Sequence, residues 1–120
     1  MAFYRTREGA VTAADSFTAL GSLYGQSTTA AIQVPAGASQ IVGIIATMSQ
    51  DGNAAGTSTF AIQLSGDGLS NGTETSDGRS NVPMTLDVAI PCVGSNQVSV
   101  AAAMDTDLGT CAAAVTVVFA

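Results

Sequence analysis

Apolar and polar residues alternate at every second position in stretch after stretch of the chain, and this constrains the fold more than any other feature. Successive side chains of a β-strand point to opposite faces, so each such stretch predicts a strand with one buried face. The alternating stretches are 30–34, 60–64, 84–90, 97–100 and 114–119. In the last one, Val115, Val117 and Phe119 are predicted to point inward.

Turn signals separate these stretches at intervals typical of an all-β sandwich or barrel. They are rich in Gly, Asn and Asp, which accept the positive φ of tight turns. They lie at 35–37, 51–52, 66–68, 71–72, 77–78, 94–96 and 108–109. We therefore expect an all-β fold with about seven or eight strands. The length of 120 residues corresponds to a single domain.

One predicted strand, 41–46, is apolar on both faces, as expected for a strand that is covered on both sides. Either a loop of the same chain covers its outer face, or a neighbouring subunit does. Gly43 indicates either a close backbone approach or a β-bulge, and the bulge is the simpler interpretation.

The predicted domain organisation is an N-terminal arm or first strands over 1–27 and a sandwich core over 28–120. The arm either adds a strand to its own sheet or docks on a neighbouring subunit. Phe17, Leu20 and Tyr24 are spaced as in a short helix, so a helical turn and an extended segment both stay open. The polar, Gly-rich stretch 65–81 is predicted to be a long loop.

Charged residues are scarce: they make up 10% of the chain, which has no Lys or His and a net charge of −6. Soluble domains average about 25%. This composition suits a surface buried against copies of the chain or, alternatively, the hydroxyl-rich surface of a secreted monomer. The negative charge argues against direct nucleic-acid binding. No run of apolar residues is long enough for a transmembrane helix.

The residues of common catalytic and cofactor sites are missing from the sequence. Without His or Lys there is no Ser-His-Asp triad, Schiff base or phosphate-loop lysine, so we expect no enzymatic activity and no cofactor. Asp105 and Asp107 are weak candidates for a Ca²⁺ site, because carboxylates at i and i+2 in a loop point their oxygens the same way. Turn-forming Asp explains them equally well, and no metal site is predicted.

Cys92 and Cys111 are predicted to be free. The strand between them runs the length of the sheet and separates them by about 25 Å. A disulfide requires Cα atoms within about 7 Å.

The chain resembles, in style, the small β-sandwiches that viruses use as capsid and head-decoration proteins. The resemblance is carried by two strands joined by a Pro-Gly turn at 32–41, by 60–68 and by the final strand. It implies a jelly-roll-like sandwich whose subunits form a shell or coat. Genome-holding shell proteins often have a basic N-terminal arm, whereas this one offers only Arg5 and Arg7.

We therefore expect a self-assembling structural protein of the virion, with copies of itself and other coat proteins as partners. The alternatives are a subunit of an extracellular filament or surface layer, linked by a donated N-terminal strand, and a carbohydrate- or ligand-binding module. The predicted subunit contacts are Phe3, Tyr4, Arg5, Arg7, Ile41 and Arg79.

Overall fold

All the regular secondary structure assigned in the part of the chain that the computed structural model describes consists of β-strands, joined by turns. The described residues are 2–11, 17–21, 31–50, 59–70, 73–79, 83–104 and 111–120. The strands are β1 (Phe3–Val11), β2 (Thr18–Ala19), β3 (Ile32–Gln33), β4 (Gln40–Gln50), β5 (Thr59–Ser65), β6 (Thr73–Arg79), β7 (Pro83–Pro91), β8 (Gln97–Met104) and β9 (Cys111–Phe119).

The strands form two antiparallel sheets. Sheet I has the order β1-β9-β4-β7, and sheet II has the order β2-β8-β5-β6, with β3 also paired to β8. The predicted single β-sandwich is confirmed. No described segment is a helix long and apolar enough to cross a membrane.

Strands β2 and β3 are two pieces of one edge strand of sheet II. Thr18 and Ala19 pair with Ala102 and Ala101 of β8. Further along β8, Ile32 and Gln33 pair with Val98 and Gln97, in the same direction. Both pieces run antiparallel to β8 along one of its edges, so β2 and β3 together contribute one strand position, which makes eight positions in the sandwich.

The core lies between the two sheets, and its buried side chains among the described residues are aliphatic apart from Cys92 and the ring of Phe119. The alternation in the last strand is confirmed, because Val115, Val117 and Phe119 are fully buried. It is also confirmed at 62–64 of β5 and 97–100 of β8, where Ile62, Leu64, Val98 and Val100 are buried. No polar or charged residue is buried among the described residues.

A β-bulge explains why 41–46 looks apolar on both faces. The register between β4 and β9 shifts between Ile41 and Gly43. An extra residue in one strand reverses the alternation beyond it. Ile41, Ile44 and Ala46 therefore all point into the core and are buried. Ile41 and Ile44 are three positions apart because the bulge lies between them, whereas Ile44 and Ala46 keep the ordinary spacing of two.

The predicted loop over 65–81 is wrong. Thr73–Arg79 forms β6, which pairs with β5 from Ser65↔Thr73 to Thr59↔Arg79. Strand β6 is at the edge of sheet II, where pairing depends on backbone hydrogen bonds and needs no apolar alternation. Its polar sequence therefore resembled a loop.

The N-terminal segment belongs to its own sandwich. All nine residues of β1 pair with β9, and Val11 is fully buried. A helix across 13–24 is wrong for the described part of that stretch, because Thr18–Ala19 is a strand and Gly21 forms a β-bridge with Glu8.

Candidate functional site

The outward-pointing side chains of β1, β4 and β9 form the part of the outer face of sheet I that makes up the first candidate site, since most side chains of the fourth strand, β7, are not among the described ones. Alternation from the buried residues of these strands identifies them. They are Tyr4, Thr6, Glu8, Ala10, Gly43, Ile45, Thr47, Ala112, Ala114, Thr116 and Val118.

This face is apolar or hydroxyl-bearing over most of its described area. Tyr4 is 59% exposed and Ile45 is 38% exposed, which places both among the large exposed apolar residues of the described chain. Thr6 and Thr116 share a hydroxyl hydrogen bond of 2.7 Å across the strands. Glu8 is the only carboxylate or guanidinium group among the described side chains of this face. A sheet face that meets water ordinarily alternates to strongly polar residues.

The edge of the sandwich where β1 meets β2 and β3 forms a seam between the two sheets. At one point two backbone hydrogen bonds close the seam. The N–H of Glu8 donates to Gly21 O at 3.2 Å, and the N–H of Gly21 donates to Glu8 O at 2.9 Å. Closer to the start of β1, side chains occupy the space along the seam, since Arg7 Nη2 donates across it to Ala31 O at 2.9 Å.

Arg5 and Arg7 occupy that space because of their register. They pair with the core residues Val117 and Val115, so they leave β1 on its inner face. Since β1 is an edge strand, the guanidinium groups extend past the core into the seam.

The two arginines also cap the open edge of β1. Glu8 bonds outward to Gly21, so alternation directs the carbonyl groups of Thr6 and Tyr4 away from β9 as well. Arg5 Nη1 donates to Tyr4 O at 2.9 Å, and Arg7 Nη1 donates to Thr6 O at 2.8 Å. Arg7 Nη2 also donates to Ala31 O at 2.9 Å, across the seam.

A groove of about 390 Å³ lies against these two guanidinium groups. We call it the seam groove, and its lining includes Arg5, Arg7, Gln33, Pro35, Ala36 and Ser95. Partial burial, together with the positive charge of Arg5, holds the pKa of Arg7 below its ordinary value. The groove therefore brings two cations together beside a small apolar wall.

No protein-family model and no curated protein matches the chain. The candidate sites are therefore defined by their own geometry.

The structure separates the predicted contact residues into different environments. Tyr4 lies on the outer face of sheet I, Arg5 and Arg7 line the seam groove, and Phe3 packs partly buried against the core. The prediction that Ile41 is a subunit contact is wrong. Its side chain is fully buried beside Phe119 of β9 and does not lie on the outer face of sheet I. Ile45 is the exposed isoleucine of that strand.

Some predicted residues lie outside the part that can be described. Arg79 ends β6 and Cys111 begins β9, but their side chains are not among the described ones. Asp105 and Asp107 also fall outside the described residues. Elsewhere in the described chain, no three acidic or Cys side chains cluster closely enough to hold a metal ion.

Cys92 is a free, buried cysteine, and burial raises the pKa of its thiol. Its backbone N–H donates to Ser39 O, at the end of sheet I where Ala120 pairs with Gln40. Cys111 pairs with Gln50 at the opposite end of the same sheet. The length of β9, about 26 Å, therefore separates the two backbone positions.

The carboxylate of Asp67 has a structural task. Its Oδ1 accepts a hydrogen bond from the backbone N–H of Gln97 at 2.9 Å. Asn96 Nδ2 also donates to Asp67 O, at 3.2 Å, and both bonds lie at the surface. Asp67 therefore ties the turn after β5 to the start of β8.

The sequence does not predict the seam groove, although it predicts both of its arginines as contact residues. Arg5 and Arg7 are two positions apart, which places them on one face of a strand. Which face this is depends on the register with β9, and the rest of the lining comes from β3, the following turn and Ser95. No local sequence signal connects these segments.

Proposed function

We propose that this chain is a non-enzymatic structural protein that assembles with copies of itself, as a subunit of a viral capsid or virion coat. The observation that carries the proposal is the outer face of sheet I, a broad sheet surface with one charge among its described side chains. Broad surfaces of this kind are typical of protein–protein contacts.

The pairing of the strands supports a jelly-roll sandwich, the architecture of many capsid proteins. Strand β1 pairs with β9, the β2–β3 position with β8, β4 with β7, and β5 with β6. This is the order expected when one long antiparallel hairpin is rolled up, first strand against last and the middle strands together.

The charge of the chain favours a second copy as the occupant of this face. Two copies that each carry a net charge of −6 repel each other. They associate most easily through a surface with few acidic residues. The outer face of sheet I has Glu8 as its one charged group among the described side chains, and its twisted sheet surface suits sheet-on-sheet packing.

The filament alternative receives less support. Its linking device is an N-terminal strand donated to the next subunit. Strand β1 instead pairs along its whole length with β9 of its own chain. Arg5 and Arg7 also cap carbonyl groups on its open edge, which blocks the addition of another strand there.

The ligand-binding alternative has one specific observation in its favour, the seam groove. Its volume of about 390 Å³ falls within the range of small-molecule sites. The two functions are compatible, because the groove lies at the edge of the sandwich and the apolar face lies on its outer surface.

Self-association is tested by size-exclusion chromatography with light scattering and by electron microscopy of concentrated protein. We expect closed oligomers or shells for the wild-type chain. The double variant Tyr4→Lys/Ile45→Lys should remain monomeric, because it places two buried cations in the contact. A wild-type chain that stays monomeric at all concentrations would refute the proposal.

The matched control is Val93→Lys. Val93 is 42% exposed, comparable to Ile45, but it lies in the turn between β7 and β8. It should assemble like the wild type. If all the lysine variants lose assembly equally, general hydrophobicity rather than the outer face of sheet I drives association.

A further inference from the structure

We propose that Arg5 and Arg7 make the seam groove a binding site for a carboxylate group. The inference rests on the geometry of the groove and does not depend on the proposed assembly. It assigns the two arginines a ligand class as well as their role as caps of the β1 edge.

The arginine side chains are held in place for this task. Arg7 is fixed by two hydrogen bonds, to Thr6 O and across the seam to Ala31 O. Arg5 is exposed, and it donates a hydrogen bond from Nη1 to Tyr4 O. A guanidinium group has five N–H donors in a planar fork, so Arg5 retains donors for a ligand. Such a fork matches the two oxygens of a carboxylate.

Electrostatics favour an anion at this position. Partial desolvation and the nearby positive charge of Arg5 both lower the pKa of Arg7. An anion near a guanidinium group favours its charged form. The two positive charges of the groove therefore favour an anionic ligand over a cationic one.

The remaining lining selects the kind of anion. Pro35 and Ala36 provide a small apolar wall, while Gln33 and Ser95 provide polar groups. A long polyanion such as nucleic acid meets an acidic chain of net charge −6 and is repelled. A short carboxylate with a carbon stem fits both the two cations and the wall.

The carboxylate has two possible sources: a free small acid, or an Asp or Glu side chain of a second copy. Both present the same chemical group to the groove. The first source requires only the isolated chain, whereas the second one requires contact between subunits. Experiments on binding and on assembly therefore distinguish them.

The binding experiment titrates the full chain with succinate and follows the amide and arginine Nε–H resonances by NMR at constant ionic strength. We expect saturable shifts at Arg5, Gln33 and Ser95. Arg5→Gln should weaken binding about tenfold or more, because charge-assisted hydrogen bonds are lost. Arg5 is exposed, so this variant keeps the fold.

Arg79→Gln is the matched control, since it removes the third cation of the chain with the same change in charge. It should bind succinate as the wild type does. Equal weakening in both variants, or no saturable shift in the groove, overturns the proposal. Saturation by inorganic phosphate without any response to succinate also overturns the assignment to carboxylates.

The second arm compares the self-association of Arg5→Gln and Arg79→Gln at about 150 mM salt, near the physiological value. Weaker assembly for Arg5→Gln alone, and competition by succinate, identify a neighbour's acidic side chain as the ligand. Unchanged assembly together with succinate binding identifies a free acid. A monomeric wild-type chain that binds succinate refutes the proposed function and leaves the carboxylate site standing.

Discussion

At the scale of single residues, the turn after β5 depends on the absence of a side chain at Gly68. A Cβ atom built there would lie 2.7 Å from Gln97 O and 2.7 Å from Val98 Cγ2. Neither atom moves easily, because Gln97 N–H is bonded to Asp67 and Val98 is fully buried. Gly68 N–H also donates to Gln97 O at 2.7 Å, so the turn and β8 are in direct contact.

We predict that Gly68→Ala lowers the free energy of unfolding by about 1–3 kcal/mol, the usual effect of overpacking a well-packed site. Urea denaturation followed by circular dichroism measures it. Gly21→Ala is the control, because among the described residues its Cβ atom would meet only Glu8 O, at 3.9 Å. Equal stability of Gly68→Ala and the wild type would mean that the turn can move away from β8.

At the scale of elements, β1 is the strand that most affects both the fold and the candidate sites. It covers one edge of β9, contributes Val11 to the core and carries Arg5 and Arg7. Its loss would expose the edge of β9 and the inner side of Val115 and Val117. Such an edge is both unsatisfied and prone to aggregation.

We predict that deletion of residues 1–8 unfolds or aggregates the domain, as judged by NMR amide dispersion and light scattering. Removal of residues 1–2 alone is the control, since β1 begins at Phe3. A folded, well-dispersed spectrum after the longer deletion would instead mean that β1 is a detachable arm.

The elements also show what could be predicted from the sequence. Strands β5, β8 and β9 alternate because one of their faces meets the core, and the large apolar residues predicted to point inward are buried where their side chains are described. Strand β6 has no such signal, because an edge strand pairs through its backbone. Gly43 in the sequence indicates a possible β-bulge. That the bulge turns the side chain of Ile41 into the core is visible only in the register between β4 and β9.

The candidate sites were only partly predictable for a similar reason. Tyr4, Arg5 and Arg7 stand out in a sequence with few aromatic and few charged residues. The seam groove, however, is assembled from β1, β3 and Ser95, which are distant in the sequence. Their meeting depends on the wrapping of the two sheets, which alternation alone does not specify.

At the scale of the whole molecule, assembly has to overcome repulsion between acidic copies. The net charge of −6 acts over a distance set by the salt concentration. The screening length is about 30 Å at 10 mM salt and about 8 Å at 150 mM. Apolar contact on the outer face of sheet I is not weakened by such salt, since its described side chains include only one charge.

We therefore predict that self-association of the wild-type chain increases between about 10 mM and about 150 mM salt, because screening removes repulsion over most of the subunit. Light scattering across a dilution series measures the threshold concentration, which should fall as salt is added. Arg5→Gln should show the same direction of change, since its more negative net charge adds to the repulsion. A threshold that rises with salt would mean that ion pairs, and not the apolar sheet face, dominate the contact between subunits.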